Sequence, residues 1–190
     1  MGVGADLLPK AYEDEFKILL DKVPPRDFDV IKKIVESELG TPISEVFKTF
    51  NEEALAAASI GQVHLATLHN GAKVVVKVQY PEVEEFFERD LACIKWSCRL
   101  SGFDVDSILE EFAKSFASEF DYREEAANMR TCSDNMKVFK NVYIPEPVDS
   151  SHKSCPKGLS LCTKKVLCMD AVQGEPIKSR MDKVMKELAA

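Results

Sequence analysis

Apolar residues recur along this chain with two different periods, and each change of period marks a new element. In LLPKAYEDEFKILLDKVPP, Tyr12, Phe16, Leu19 and Leu20 fall at i, i+4, i+7 and i+8, one stripe on a helix that Pro9 opens and Pro24 and Pro25 end. A second stripe of Ile31, Ile34, Val35 and Leu39 predicts a helix that starts near Asp27 as N-cap and stops at Gly40. The two make a helical hairpin with no side chains of obvious chemical use, so they read as packing helices. The period then falls to two. Strand-like runs cover about 55–60, 62–68 and 72–79, and Asn70-Gly71 can adopt the positive φ values of a tight hairpin. In AKVVVKVQ, Val74, Val76 and Val78 share one face, while Lys73, Val75, Lys77 and Gln79 share the other. Helical spacing returns after Pro81 with Phe86, Phe87, Leu91 and Ile94. It continues in DVDSILEEFAKSFASEFDYREEAANMR, read as a helix with Ile108, Phe112 and Phe116 as its stripe. Near the other end VLCMDAVQG reads as a strand ending in a turn at Gly174, after a polar loop over 150–160.

Composition narrows the class of protein. A chain of 190 residues, 45% hydrophobic and 30% charged, can bury a core of ordinary size as one domain. A net charge of −7 with no basic face argues against a nucleic-acid binder, because phosphate backbones are met by clustered Lys and Arg. No apolar run approaches the roughly 18 residues of a membrane helix, and the first residues lack signal-peptide or transit-peptide character. The six cysteines form no CxxC pair, and His64, His69 and His152 stand at spacings that match no familiar zinc pattern. No metal ligands are expected from these spacings, reduced thiols are expected, and Cys162 and Cys168 read as packing residues in strands.

Candidate chemistry centres on the sheet. LAAASIG, Leu55 to Gly61, has almost no side-chain bulk, so its backbone N–H groups could approach an anion such as a phosphate closely. Alanines in place of glycines make that loop stiffer and tighter. Lys77 sits in a valine-rich strand just beyond, and a small-residue hairpin followed by a strand lysine is how a kinase-type N-lobe covers a nucleotide. The plainer reading is a wet sheet face beside a small-residue strand contact. A lysine so placed needs a carboxylate to hold it, and EFDYREEAAN offers several: Asp121 and Glu125 one turn apart with Asn128 beyond, and Glu119 within reach of Arg123 at i+4. A solvated helix face is the plainer reading of these too.

LAAASIGQVHLA, VVVKVQYP and EFDYREEAANM, in that order, resemble the UbiB family of aarF-domain atypical kinases. DLLPKAYEDEFKILLDKVPP, ELGTPISEVFKTF and VLCMDAVQGEPI fit as well, so the resemblance runs from about Asp6 to Ile177. It implies an α+β fold: a protein-kinase-like N-lobe with a small antiparallel sheet, a long αC-type helix and extra N-terminal helices, the C-lobe missing. The implied division is a helical extension over 1–48, the N-lobe over 49–173, and the start of the hinge and C-lobe over 174–190. By resemblance, Ala56, Ala57, Ala58 and Ser59 match the nucleotide loop, Lys77 the phosphate-contacting lysine and Glu125 its helix partner. Glu119 and Asp121 match a Glu-x-Asp motif that engages the segment guarding the active site. Met169 takes the gatekeeper place, and backbone groups of Asp170 and Val172 would face an adenine. Which of Glu119 and Glu125 meets Lys77 stays open, because helix phase drifts over a long segment.

The resemblance also implies ATP as ligand, Mg²⁺ held by residues of the C-lobe, and a role in isoprenoid-quinone (ubiquinone) or lipid metabolism at mitochondrial or plastid membranes, with lipid or quinone-biosynthesis protein partners. The sequence departs from the family in two places. The Lys-x-Gly-Gln motif expected before DLLP is missing, and so are the catalytic-loop Asp and Asn and the Asp-Phe-Gly that hold the metal. The chain is therefore expected to be an N-lobe piece that is inactive by itself and exposes the face meant for the C-lobe. The alternative is a non-catalytic module that docks a protein or lipid.

Overall fold

A computed structural model describes residues 24–57, 60–175, 177, 180–181 and 184–185. The expected first helix with Tyr12, Phe16, Leu19 and Leu20 lies outside the described residues, as do Ala58 and Ser59.

The second stripe forms helix α1, Phe28–Leu39, with Ile31, Ile34, Val35 and Leu39 buried as the spacing requires. Asp27 occupies the N-cap position through its backbone carbonyl, not its side chain. Gly40 ends the helix at φ +67°, donating its N–H to the Glu36 carbonyl at 2.9 Å. A short helix α2, Ile43–Val46, leads into the sheet. Its strands are β1 (Phe47–Phe50), β2 (Ala56–Ala57), β3 (Gly61–Leu68), β4 (Lys73–Gln79) and β5 (Val166–Asp170). They run antiparallel in the order β1-β3-β4-β5, with β2 also paired to β3.

The β3–β4 turn differs from the expected two-residue hairpin. Leu68 accepts the Gly71 N–H and donates to the Ala72 carbonyl, both at 2.9 Å, so three residues make the turn. The left-handed conformation falls on Gly71 alone, at φ +88°, while the Asn70 side chain accepts the Ala72 N–H at 3.1 Å. The period-two reading of β4 holds: Val74, Val76 and Val78 are fully buried and pack in one core with α1, Val46, Phe47 and Leu68. Each contributes about 1.5–3 kcal/mol of burial. The opposite face is drier than its composition implies, since Gln79 is buried and donates to the Glu119 carbonyl at 3.3 Å.

Helices α3 (Val83–Leu100) and α4 (Asp106–Ala117) form a hairpin in which the two predicted stripes meet. Phe87 stacks on Phe116 at 5.2 Å and meets Phe120 edge-on at 5.1 Å. The long acidic helix is not continuous. A 3₁₀ turn over Ser118–Phe120 and an extended Asp121, at φ −124° and ψ 98°, separate α4 from α5 (Tyr122–Met136). No Pro or Gly marks this break. It is set by burial of Phe120 and Tyr122 and by the Tyr122 N–H, which donates to the Lys164 carbonyl at 3.0 Å.

Helix α5 covers the second face of the sheet, where Tyr122 and Ala126 pack with Leu167 and Cys162, and Met129 and Met169 border them. Alternation along β5 thus sends Val166 and Cys168 to the α1 side and Leu167 and Met169 to the α5 side. The outer edge of β5 is covered too: Val148 donates to the Cys168 carbonyl and Asp170 to the Glu146 carbonyl, at 2.8 and 3.0 Å. The cysteines are free among the described residues, and burial pushes the Cys162 thiol up to about 11 and Cys168 well above its ordinary value.

Candidate functional site

Lys77 lies on the α5 face of β4, between Val63 of β3 and Leu167 of β5. Its ammonium is held from two sides. It donates to both carboxylate oxygens of Glu125, at 2.7 and 3.0 Å, and sits 4.6 Å from the centroid of the Tyr122 ring. Of the two glutamates left open by the sequence, Glu125 is the one in contact. It stands in the first turn of α5, where the helix dipole favours an anion. Only a quarter of the Lys77 side chain and about a third of Glu125 reach water, at 25% and 37% exposure.

Glu119 lines the same cleft with Ser118, Glu124 and Asn128, enclosing about 280 Å³. The break before α5 turns it there; on an unbroken helix it would have pointed elsewhere. Asp121 goes the other way. As N-cap it accepts the Arg123 N–H at 3.0 Å, and its carboxylate binds the Arg123 guanidinium at 2.6 to 3.1 Å. Hydrogen bonds from Arg123 hold its carboxyl below the ordinary range. Arg123 therefore pairs with Asp121, two residues away, and not with Glu119 at the predicted i−4 position.

Across the sheet from Lys77, Val63 pairs with Ala56, and Ala57 pairs with Gln62. The alanine segment is thus a short hairpin arm two strands from the lysine. Its return begins at Gly61, where a Cβ would be driven into the Val78 carbonyl oxygen and would lie 3.1 Å from the Tyr122 hydroxyl. That hydroxyl and the Gln79 Oε1 are both buried with no hydrogen-bond partner among the described residues. Burial first, then the Glu125 charge, pushes the phenol well up, against an opposing pull from the Gln79 side chain. Tyr122 and Gly61 are the residues that sequence reading missed. Both lay inside quoted motifs, but no local period connects a glycine at 61 with a ring at 122.

On β5, Met169 pairs with Val75 and borders the Tyr122 cluster. The Asp170 N–H is committed to the Glu146 carbonyl, and its carboxylate accepts the Tyr143 hydroxyl at 2.9 Å. Val172 follows the strand with 56% of its surface exposed.

A small antiparallel sheet with an extra helix on one face and a helix carrying the lysine's carboxylate on the other makes this an α+β, protein-kinase-like N-lobe. The chain belongs to the ABC1 atypical kinase-like family, whose domain matches residues 18–188. It is 43% identical over 148 residues to Protein ACTIVITY OF BC1 COMPLEX KINASE 7, chloroplastic, of Arabidopsis thaliana, covering 74% of this chain and 21% of that protein. It is 34% identical over 180 residues to a probable protein kinase UbiB of Pseudomonas putida strain W619, covering 90% and 32%. Among solved structures it resembles the Rv3197–erythromycin complex from Mycobacterium tuberculosis, with TM-score 0.67 and 28% identity, over 95% of this chain and 44% of that one. The chain thus spans between about a fifth and a third of the length of these two curated relatives.

Proposed function

We propose that the cleft around Lys77 binds the phosphates of ATP, and that the full-length protein is a kinase-like enzyme or ATPase. The observation that carries this reading is the Lys77–Glu125 pair: a strand ammonium aimed by a helix carboxylate and kept from water on one side by the Tyr122 ring. Backbone N–H groups of the arm at Ala56 and Ala57, continued by Ala58 and Ser59, would roof the phosphates. Met169 would act as gatekeeper. Because the Asp170 N–H is already bound to the Glu146 carbonyl, an adenine would be left the Asp170 carbonyl and the backbone of Val172. Glu119, facing the cleft, is the better placed of the Glu-x-Asp pair to engage a guarding segment; Asp121 would act through Arg123 and the helix start. A Mg²⁺ site does not fit this cleft from the described residues alone, since no trio of ligand atoms gathers there and Glu125 is engaged by Lys77. Its ligands are assigned to the C-lobe of the parent protein.

The similarity to proteins named UbiB supports a role of the parent in isoprenoid-quinone or lipid metabolism, and the Arabidopsis relative's name supports a plastid location. The test is thermal shift with Mg-ATP and Mg-ADP on the full-length protein. Wild type is expected to be stabilised and Lys77→Ala not; equal shifts, or none in either, would defeat the nucleotide reading. A second reading, a docking module for a protein or lipid, is favoured by Trp96, Leu100, Phe103 and Ile108 on the α3–α4 hairpin, each about two-thirds exposed or more. It predicts that substituting those four with polar residues abolishes partner capture while the nucleotide shift persists.

A further inference from the structure

Glu146, His152 and Asp170 converge at the far end of β5, away from the Lys77 cleft, and one ligand atom from each lies within 4.8 Å of the others. His152 Nε2 is 3.7 Å from Asp170 Oδ1 and 3.8 Å from Glu146 Oε2. Its side chain is only 5% exposed, and Nε2 is buried with no hydrogen-bond partner. An orphaned imidazole nitrogen aimed between two carboxylates needs an explanation.

We propose that these three side chains bind a transition-metal dication of the Zn²⁺ class. The spacing favours an ion over direct hydrogen bonds. The N···O separations are too long for hydrogen bonds, which close at roughly 2.7–3.2 Å. Ligands about 2.0–2.2 Å from a tetrahedral ion stand roughly 3.4 Å apart, so the two His152–carboxylate separations need close by only a few tenths of an ångström. The frame is built rather than loose. Asp170 donates its N–H to the Glu146 carbonyl at 3.0 Å and Pro147 bridges Met169, so the two carboxylates project from paired backbone. The second oxygen of Asp170 accepts the Tyr143 hydroxyl at 2.9 Å, the kind of outer hydrogen bond that orients a metal-binding carboxylate. His152 is brought in by a turn in which its N–H donates to Asp149 at 3.0 Å.

An ion pair of His152 with the two acids is the competing account. Nδ1 faces the Ser154 N–H at 3.2 Å, and an ion on Nε2 would leave the ring proton on Nδ1 and open that contact, so metal uptake is what separates the two accounts. A cavity of about 320 Å³ beside Glu146 and His152 gives an ion access and leaves room for water in the fourth position. Two of the cations that line it are already paired, Arg130 with Asp149 and Lys137 with Asp134. One imidazole with two carboxylates suits Zn²⁺ or Co²⁺ better than Ca²⁺, which takes six to eight oxygens. An ion there would clamp the 146–152 loop to the last residue of β5. This assignment does not depend on nucleotide binding.

The test uses the 190-residue chain, stripped with chelator, then titrated with Zn²⁺ against a chromogenic competitor and with Co²⁺ by absorption. One tightly held ion per chain is expected, with no thiolate charge-transfer band, and binding at least tenfold weaker in His152→Asn and in Glu146→Gln. Unfolding of the metal-free variants is followed in parallel. Should His152→Asn fail to fold, Glu146→Gln, whose side chain is 56% exposed, carries the test. No tight uptake by the wild type, a thiolate band, or undiminished binding in folded variants would each overturn the site.

Discussion

Lys77 keeps its place through one carboxylate and one ring, and those contacts differ in what they do. The Glu125 pair is partly open to water, so its loss costs stability only on the order of 1 kcal/mol. Its effect on ligand binding is expected to be much larger: Glu125→Gln should melt within a few degrees of wild type yet lose most of the Mg-ATP thermal shift. Tyr122 is the opposite case. Its hydroxyl is buried and unpartnered, so Tyr122→Phe should leave the melting temperature unchanged or slightly raised, whereas Tyr122→Ala should cost about 3–5 kcal/mol. His64 supplies a pH dependence. It is fully buried between Phe28 and Phe50, bonded to the Asn51 carbonyl at 2.8 Å and to Gln62 at 3.0 Å. Desolvation holds its pKa below the ordinary 6.5 despite the Asn51 bond. Below that value the unfolded chain binds a proton that the folded ring refuses, so stability falls as pH drops through 6.5 and is level above it. Urea unfolding at about pH 7.5 and about pH 5.5 should show the loss, and His64→Gln should flatten it.

Among the elements, β3 and β4 approach each other closely where Gly61 passes Val78. Gly61→Ala would press a methyl onto backbone that cannot yield, and should destabilise by about 1–3 kcal/mol in denaturant melts. Helices α3 and α4 are held otherwise, with no buried residue in either. Their amides should therefore exchange with solvent well before those of β3, β4 and β5, as hydrogen exchange would show. The elements also differ in how plainly they could be read. Helix α1 was legible to its ends because its stripe, and the glycine that stops it, are local signals. The break at Ser118–Asp121 was not, because the stripe of Ile108, Phe112 and Phe116 runs up to it without a helix breaker. Burial of Tyr122 against the sheet and of Phe120 against Phe87, with the Tyr122 N–H bonded to the Lys164 carbonyl, bends the chain there.

In the molecule as a whole, one sheet separates two environments: its α1 face is the larger core, and its α5 face packs a smaller cluster beside Lys77. The order of residues was enough to determine the faces of β4, the α1 stripe and the family, because side-chain direction follows from the period of each element and the family from its motifs. Which acid meets Lys77, the turning of Asp121 to Arg123, and the meeting of residues 146, 152 and 170 were decided by the packed chain. Those contacts join segments up to 48 residues apart, and how such segments pass one another depends on what each buries, which no local period records.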